Sequence, residues 1–359
     1  MDLKAYLEKM VYRNASDLYF KAGSPACFRI DDTIVPVAAE KLTTFDVDEV
    51  VNTILTDKQK TDFYANNEFD GAYSVSGLGR FRFNIYMQRN TAAVTLRSLK
   101  MDVPSFAELN LPVELMQRLS SLHRGLILIT GYAGSGKSTT LASMIDHINQ
   151  NVQKNIITIE DPIEFIHSDK KSIISQREVG VDTKSFGNAL RHIIRQSPDI
   201  ILIGEIRDVE TMQIAIMAAE TGHLVLSTLH TVDAVQTVER IINFFPAPAH
   251  AQVRMQLSLL LKGVVSMRLI PRSDKPGRIP ACEVMLATPT VRKLIMEGKT
   301  NQLSTAIESG EHYGMQSFNQ SLKKWLKDSV ITKESALAFA SNADELELQL
   351  KEILPGGGV

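Results

Sequence analysis

The chain has 359 residues, enough for two or three domains, and its 44% hydrophobic content is spread along the length as in an ordinary globular fold. Lys plus Arg number 39 against 41 Asp plus Glu, a formal net charge of −2, which argues against a nucleic-acid partner. Cys27 and Cys282 stand far apart with no CxxC spacing, so neither a disulfide framework nor a cysteine zinc site is expected. The densest apolar run, 257–265, is too short to span a membrane and is broken by Lys262. With no signal-peptide pattern at Met-Asp-Leu-Lys-Ala-Tyr, the expected location is cytoplasmic, any membrane contact passing through a partner.

In chain order, Leu3, Tyr6, Leu7 and Met10 share one face of an amphipathic helix. Short strands are predicted at 17–20 and 26–30, with Asp31-Asp32 as a hairpin turn before Ile34. The runs 80–86 and 93–97 alternate like half-buried strands and cluster Arg80, Arg82, Arg89 and Arg97. Such a basic strip is either a solvated face or a set of cations for an anionic ligand. A first α/β domain over 1–99 is therefore expected to join, through a linker at 100–112 where Pro104 breaks both periodicities, a second domain over 113–359.

In that second domain buried strand cores at 126–129, 156–159, 200–203 and 224–226 alternate with helices, predicting a parallel sheet covered on both faces. Each core ends in polar residues, and ligands of open parallel sheets bind off the carboxyl ends of the strands. Beyond Pro271 strands are expected to give way to helices at 289–298, 302–309, 317–326 and within 333–353, before a flexible Pro355-Gly-Gly-Gly358 tail.

The run Gly131-Tyr132-Ala133-Gly134-Ser135-Gly136-Lys137-Ser138, followed by Thr139, fills every fixed position of a phosphate-binding loop between a strand and a helix. The glycines let backbone N–H groups wrap an oxyanion, Lys137 reaches the outer phosphates, and the Ser138 hydroxyl is placed to ligate Mg²⁺. The helix that follows, with Leu141, Met144, Ile145 and Ile148 on one face, puts its positive end beneath the phosphates. A nucleoside triphosphate is the expected ligand.

Hydrolysis then needs an oriented water and a metal clamp. Glu205, at the end of Ile200-Ile-Leu-Ile203-Gly204, is the first candidate carboxylate, its competing role being a surface pair with Arg207. Glu164, after Glu160-Asp161-Pro162-Ile163, is the second, with helix capping as its competitor. His230 closes the fourth strand and is placed to sense a γ-phosphate, whereas His223 opens that strand and suits a core role equally well.

Together with Thr158-Ile-Glu160-Asp-Pro-Ile-Glu164, Gln176-Arg-Glu-Val-Gly180, Ile203-Gly-Glu205-Ile-Arg207-Asp208, Ala219-Glu-Thr-Gly-His223 and Ser227-Thr-Leu-His230-Thr231, the loop resembles the type II/IV secretion ATPases, specifically their pilus-retraction, twitching-motility branch. The likeness extends to Ala15-Ser-Asp17-Leu18 and Gly79-Arg-Phe-Arg82. It implies a PAS-like amino-terminal domain joined to a RecA-like P-loop ATPase with a helical carboxyl-terminal region. It also implies a homohexamer that hydrolyses ATP with Mg²⁺ and works on an inner-membrane platform protein, with a paralogous ATPase as a further partner. Arg82 and Arg97 match family arginines that reach the nucleotide, and Arg195 and Arg278 match others at or near it. One departure is Thr290-Val-Arg-Lys-Leu-Ile-Met296-Glu297, where the branch typically has Ala-Ile-Arg-Asn-Leu-Ile-Arg-Glu. The rival functions are an accessory ATPase or nucleotide-switched scaffold, and a nucleic-acid translocase, the last disfavoured by charge and by the lack of aromatic stacking platforms.

Overall fold

The computed structural model describes residues 1–99 and 102–353. Lys100 and Met101 of the expected linker, and the tail from Leu354, lie outside the described residues. By their internal contacts the residues form two units, Met1–Asp102 with Glu164–Ile166, and Val103–Ile163 with His167–Val359.

In the first unit the elements are α1 (Leu3–Tyr12), β1 (Asp17–Lys21), β2 (Cys27–Ile30), β3 (Thr33–Pro36), α2 (Thr44–Ile54), α3 (Asp57–Asn66), β4 (Glu68–Val75), β5 (Gly79–Gln88) and β6 (Thr91–Ser98). The strands make one antiparallel sheet in the order β3-β2-β1-β6-β5-β4. Alternation sends Phe81, Phe83 and Ile85 of β5 into a core with Leu7, Met10, Phe20 and Phe63, and leaves Arg82 on the outer face. Asp31-Asp32 is the turn expected, both residues at positive φ. Arg89, expected beside the strand arginines, instead sits with Asn90 at positive φ in the β5–β6 turn, because the alternation ends at Gln88 and two left-handed residues suit a tight hairpin.

The second unit contains α4 (Val113–Ser120), β7 (Gly125–Thr130), α5 (Lys137–Asn151), β8 (Asn155–Glu160), β9 (Ile173–Glu178), α6 (Phe186–Ile193), β10 (Ile200–Ile203), α7 (Val209–Glu220), β11 (Leu224–Leu229), α8 (Ala234–Asn243), α9 (His250–Leu260), β12 (Leu261–Pro271), β13 (Arg278–Leu286), α10 (Pro289–Glu297), α11 (Leu303–Glu308), α12 (Phe318–Lys327), α13 (Lys333–Phe339) and α14 (Ala343–Ile353). Its sheet runs β13-β12-β7-β11-β10-β8-β9, parallel except for β13. The predicted fade of strands after Pro271 is thus corrected: β13 is a nine-residue strand buried from Ile279 to Leu286. Burial on both faces removes the alternation that marks a strand, and Pro280 is tolerated because β13 is the sheet edge.

Candidate functional site

At the end of β7 the chain turns sharply at Gly131, φ +140°, where a Cβ would lie 2.5 Å from the Met267 carbonyl oxygen and 2.6 Å from Ser135 Oγ. Only glycine fits so close an approach of backbone and hydroxyl. Gly134 and Gly136 adopt left-handed φ of +74° and +94°, and α5 begins at once, so its positive end faces the loop. Lys137 is buried and donates from Nζ to the Gly131 and Tyr132 carbonyl oxygens, each at 2.8 Å. Ser135 Oγ is buried with no hydrogen-bond partner among the described residues. A buried ammonium, this hydroxyl and a helix N-terminus form a donor set for phosphate oxygens. Ser138 stands exposed at the first turn of α5, Thr139 beside it.

Two strands over, Gly204 carries the chain from β10 to Glu205. A Cβ on Gly204 would lie 3.2 Å from both Glu160 Cα and the Ile159 carbonyl oxygen, so the backbones of β8 and β10 close up here. Ser227 and Thr228 of β11 tie this corner down, donating at 2.7 Å to the carbonyl oxygens of Ile203 and Gly204. The Glu205 carboxylate, 13% exposed, forms an ion pair with Arg207 through Oε1, which has no hydrogen-bond partner among the described residues, while Oε2 meets His230 Nε2 at 3.0 Å. Burial first, then the positive charges of Lys137 and Arg207, lower the His230 pKa. The imidazole is therefore neutral at neutral pH and donates Nε2–H to Glu205. That Lys137 acts on His230 places the loop, Glu205 and His230 in one electrostatic neighbourhood. A second carboxylate, Glu160 at the end of β8, accepts from Thr158 Oγ1 at 2.6 Å and Gln176 Nε2 at 3.1 Å.

The remaining expected residues distribute unevenly. Arg82 and Arg97 face each other across β5 and β6 and line a 270 Å³ hollow on the first unit's sheet with Asp17, Asp70 and Thr95. Arg97 Nε bonds the buried Asp17 at 2.7 Å, and Arg29 lies 3.4 Å from the same carboxylate, while Arg82 has no carboxylate partner among the described residues. Glu164 is exposed and falls in the first unit, so it is not among the side chains the second unit gathers around the loop. Arg278 opens β13, exposed, beyond the carboxyl end of β7. Arg195 lies in a short turn that precedes β10, and Asn155 at the start of β8 bonds the adjacent Gln196 and Ser197 carbonyls. In a parallel sheet that is the amino edge, opposite the phosphate loop. His223 likewise sits at the amino end of β11, its Nδ1 2.9 Å from the Ala218 carbonyl oxygen. Thr158, Gln176, Ser227, Thr228 and Asp17 lay within the quoted motifs without a role; their signal was a polar residue inside or beside an apolar strand.

The model of the type II/IV secretion system protein family matches residues 1–337. The chain belongs to this family. It is 43% identical over 351 residues to the type IV pilus ATPase PilU of Pseudomonas aeruginosa, covering 98% of this chain and 92% of that one. To the type IV pilus retraction ATPase PilT of the same organism it is 42% identical over 336 residues, 94% of this chain and 97% of that one. The crystal structure of the pilus retraction motor PilT with bound ADP matches with a TM-score of 0.89 at 42% identity, covering 97% and 99% of the two chains. The protein is accordingly an ATPase of the pilus-retraction branch, a small α/β domain followed by a P-loop ATPase domain, and it binds nucleotide.

Proposed function

We infer that this protein is an Mg²⁺-dependent ATPase motor that powers type IV pilus retraction, working as a homohexameric ring against an inner-membrane platform protein. The observation that carries the reading is Glu205, held at one oxygen by Arg207 and at the other by neutral His230, in the electrostatic neighbourhood of the phosphate-loop Lys137. A carboxylate paired with a cation at one oxygen and hydrogen-bonded at the other is oriented, the requirement for placing an attacking water. His230, coupled to that carboxylate, registers whether negative charge is present beside Lys137. Lys137, bonded to its own loop carbonyls, is available to a triphosphate that competes for it. Ser138 would hold Mg²⁺, which when bound would supply neutralisation of charge on the transferring phosphoryl group.

By resemblance Arg82 and Arg97 act on the same nucleotide, Arg278 and Glu164 support it, and loss of the γ-phosphate releases a domain closure that those arginines maintain. No described helix is long and apolar enough to cross a membrane. Deleting the gene in its host should abolish twitching and leave excess immobile pili; a bald, non-piliated cell would instead indicate an extension motor. A second reading, an accessory ATPase that assists a principal motor, is favoured by exposed Met296 standing where the branch signature has arginine. Turnover of the purified protein alone separates the two, and single-stranded DNA or RNA should leave that turnover unchanged.

A further inference from the structure

Glu283 is a carboxylate in the middle of the apolar strand β13, 8% exposed. Its Oε1 accepts the Ala234 N–H at 2.8 Å, the first N–H of α8. Asp233 caps the same helix by accepting from Gln236 N–H at 2.7 Å, so two carboxylates take up separate donors of one positive helix end. The segment entering that end is His230-Thr231-Val232-Asp233, further pinned by the 2.7 Å contact between Thr231 and Thr237 hydroxyls. Directly across from Glu283 in the β12–β13 ladder is Ser266, whose Oγ accepts from Thr130 Oγ1 at 2.9 Å, one residue ahead of Gly131. A buried polar line thus runs from the phosphate-loop strand to the root of the segment that carries His230.

We propose that Glu283 is a positioning residue for ATP hydrolysis: it fixes the first turn of α8 and thereby sets where His230 meets Glu205. The proposal rests on the ATPase reading of this site. Burial raises the Glu283 pKa to about 7, opposed by the Ala234 N–H. The other charged groups acting on it are Asp233 and Glu308, which raise it, and Arg268 of β12, which lowers it. Its ionised form is the stronger acceptor for a helix N–H.

The test compares full-length wild type with Glu283→Ala and Glu283→Gln. Glu283→Ala leaves the Ala234 N–H unpaired and should lower kcat about tenfold or more with KM for ATP changed less than about twofold. Glu283→Gln keeps an acceptor oxygen, so its kcat should match wild type below about pH 6 and fall to about a third of it above about pH 8, its own profile lacking the wild-type rise through pH 7. Equal losses in kcat and kcat-independent ATP binding, no rescue by glutamine, or identical pH profiles would overturn the proposal. The His230 ring resonance, assigned with a His230→Gln spectrum, gives a readout independent of turnover. It should shift in Glu283→Ala while His147 stays in place, and an unmoved His230 signal contradicts the proposal. Absence of turnover in wild type would count against the ATPase reading alone, leaving the resonance to decide the positioning role.

Discussion

Two polar clusters among the described residues are built oppositely. At the carboxyl edge of the seven-stranded sheet an anion, Glu205, is surrounded by donors, and short side-chain bonds to backbone from Ser227 and Thr228 fix its corner. On the outer face of the six-stranded sheet the cations are in excess: Arg29 and Arg97 share Asp17, and Arg82 faces Arg97 across the ladder. Like charges directly opposite one another in a sheet cost a few tenths of a kcal/mol to about 1 kcal/mol each. The first cluster is internally balanced and orients a reactant, whereas the second is unbalanced in isolation and gains when an anion arrives.

The sharpest break of that comparison is Glu205→Gln. Removing the charge that Arg207 and His230 orient should lower turnover by about 10³ to 10⁴ while ATP binding persists; a variant within tenfold of wild type would make the corner structural. Next is Arg82→Ala, expected to lower turnover by about 10³ if the unbalanced cluster serves the phosphates. Mixing this variant with a Glu205→Ala protein should restore part of the activity in co-assembled rings. Co-assembly with no recovery at any ratio removes the shared-site model.

Stability gives the smaller effects. Glu283 has a folded pKa of about 7, above its unfolded value near 4.5. Its contribution to stability is therefore full below about pH 4.5 and lost as pH rises through about 7, a change on the order of 3 kcal/mol. Denaturant titrations of wild type against Glu283→Gln should show the wild type losing ground between those pH values; parallel curves would mean the carboxylate is not shifted. Asp17→Asn strips Arg29 and Arg97 of their shared counterion and should destabilise the first unit by about 2 kcal/mol, seen as a lower denaturant midpoint. No change would show that the arginines are satisfied by water.

Legibility followed periodicity. The four buried parallel cores, the loop and the β5–β6 alternation were readable because apolar runs there are bounded by glycine and charge. α3 was not, since only Phe63 of its ten residues is buried, although Thr56 and Gln59 spelled a capping box. β13 escaped because burial on both faces leaves no alternation and Pro280 and Glu283 interrupt its apolar run, and β9 because at the opposite sheet edge its burial is mixed. In the site, Glu205 and His230 were visible as polar residues closing apolar strands. The position of Arg195 at the amino edge was not legible, because a motif match carries no information on which end of a parallel sheet it falls. The support given by Gln176 and Glu283 depends on contacts between segments far apart in the chain, which no local pattern encodes.

In the working enzyme the Gly131–Ser138 cradle is expected to hold the triphosphate in front of Glu205. Crystals grown with a non-hydrolysable ATP analogue should show phosphate density above Lys137, with the terminal phosphate turned toward Glu205 and His230. Density lodged elsewhere, or an empty cradle under saturating analogue, would contradict that expectation.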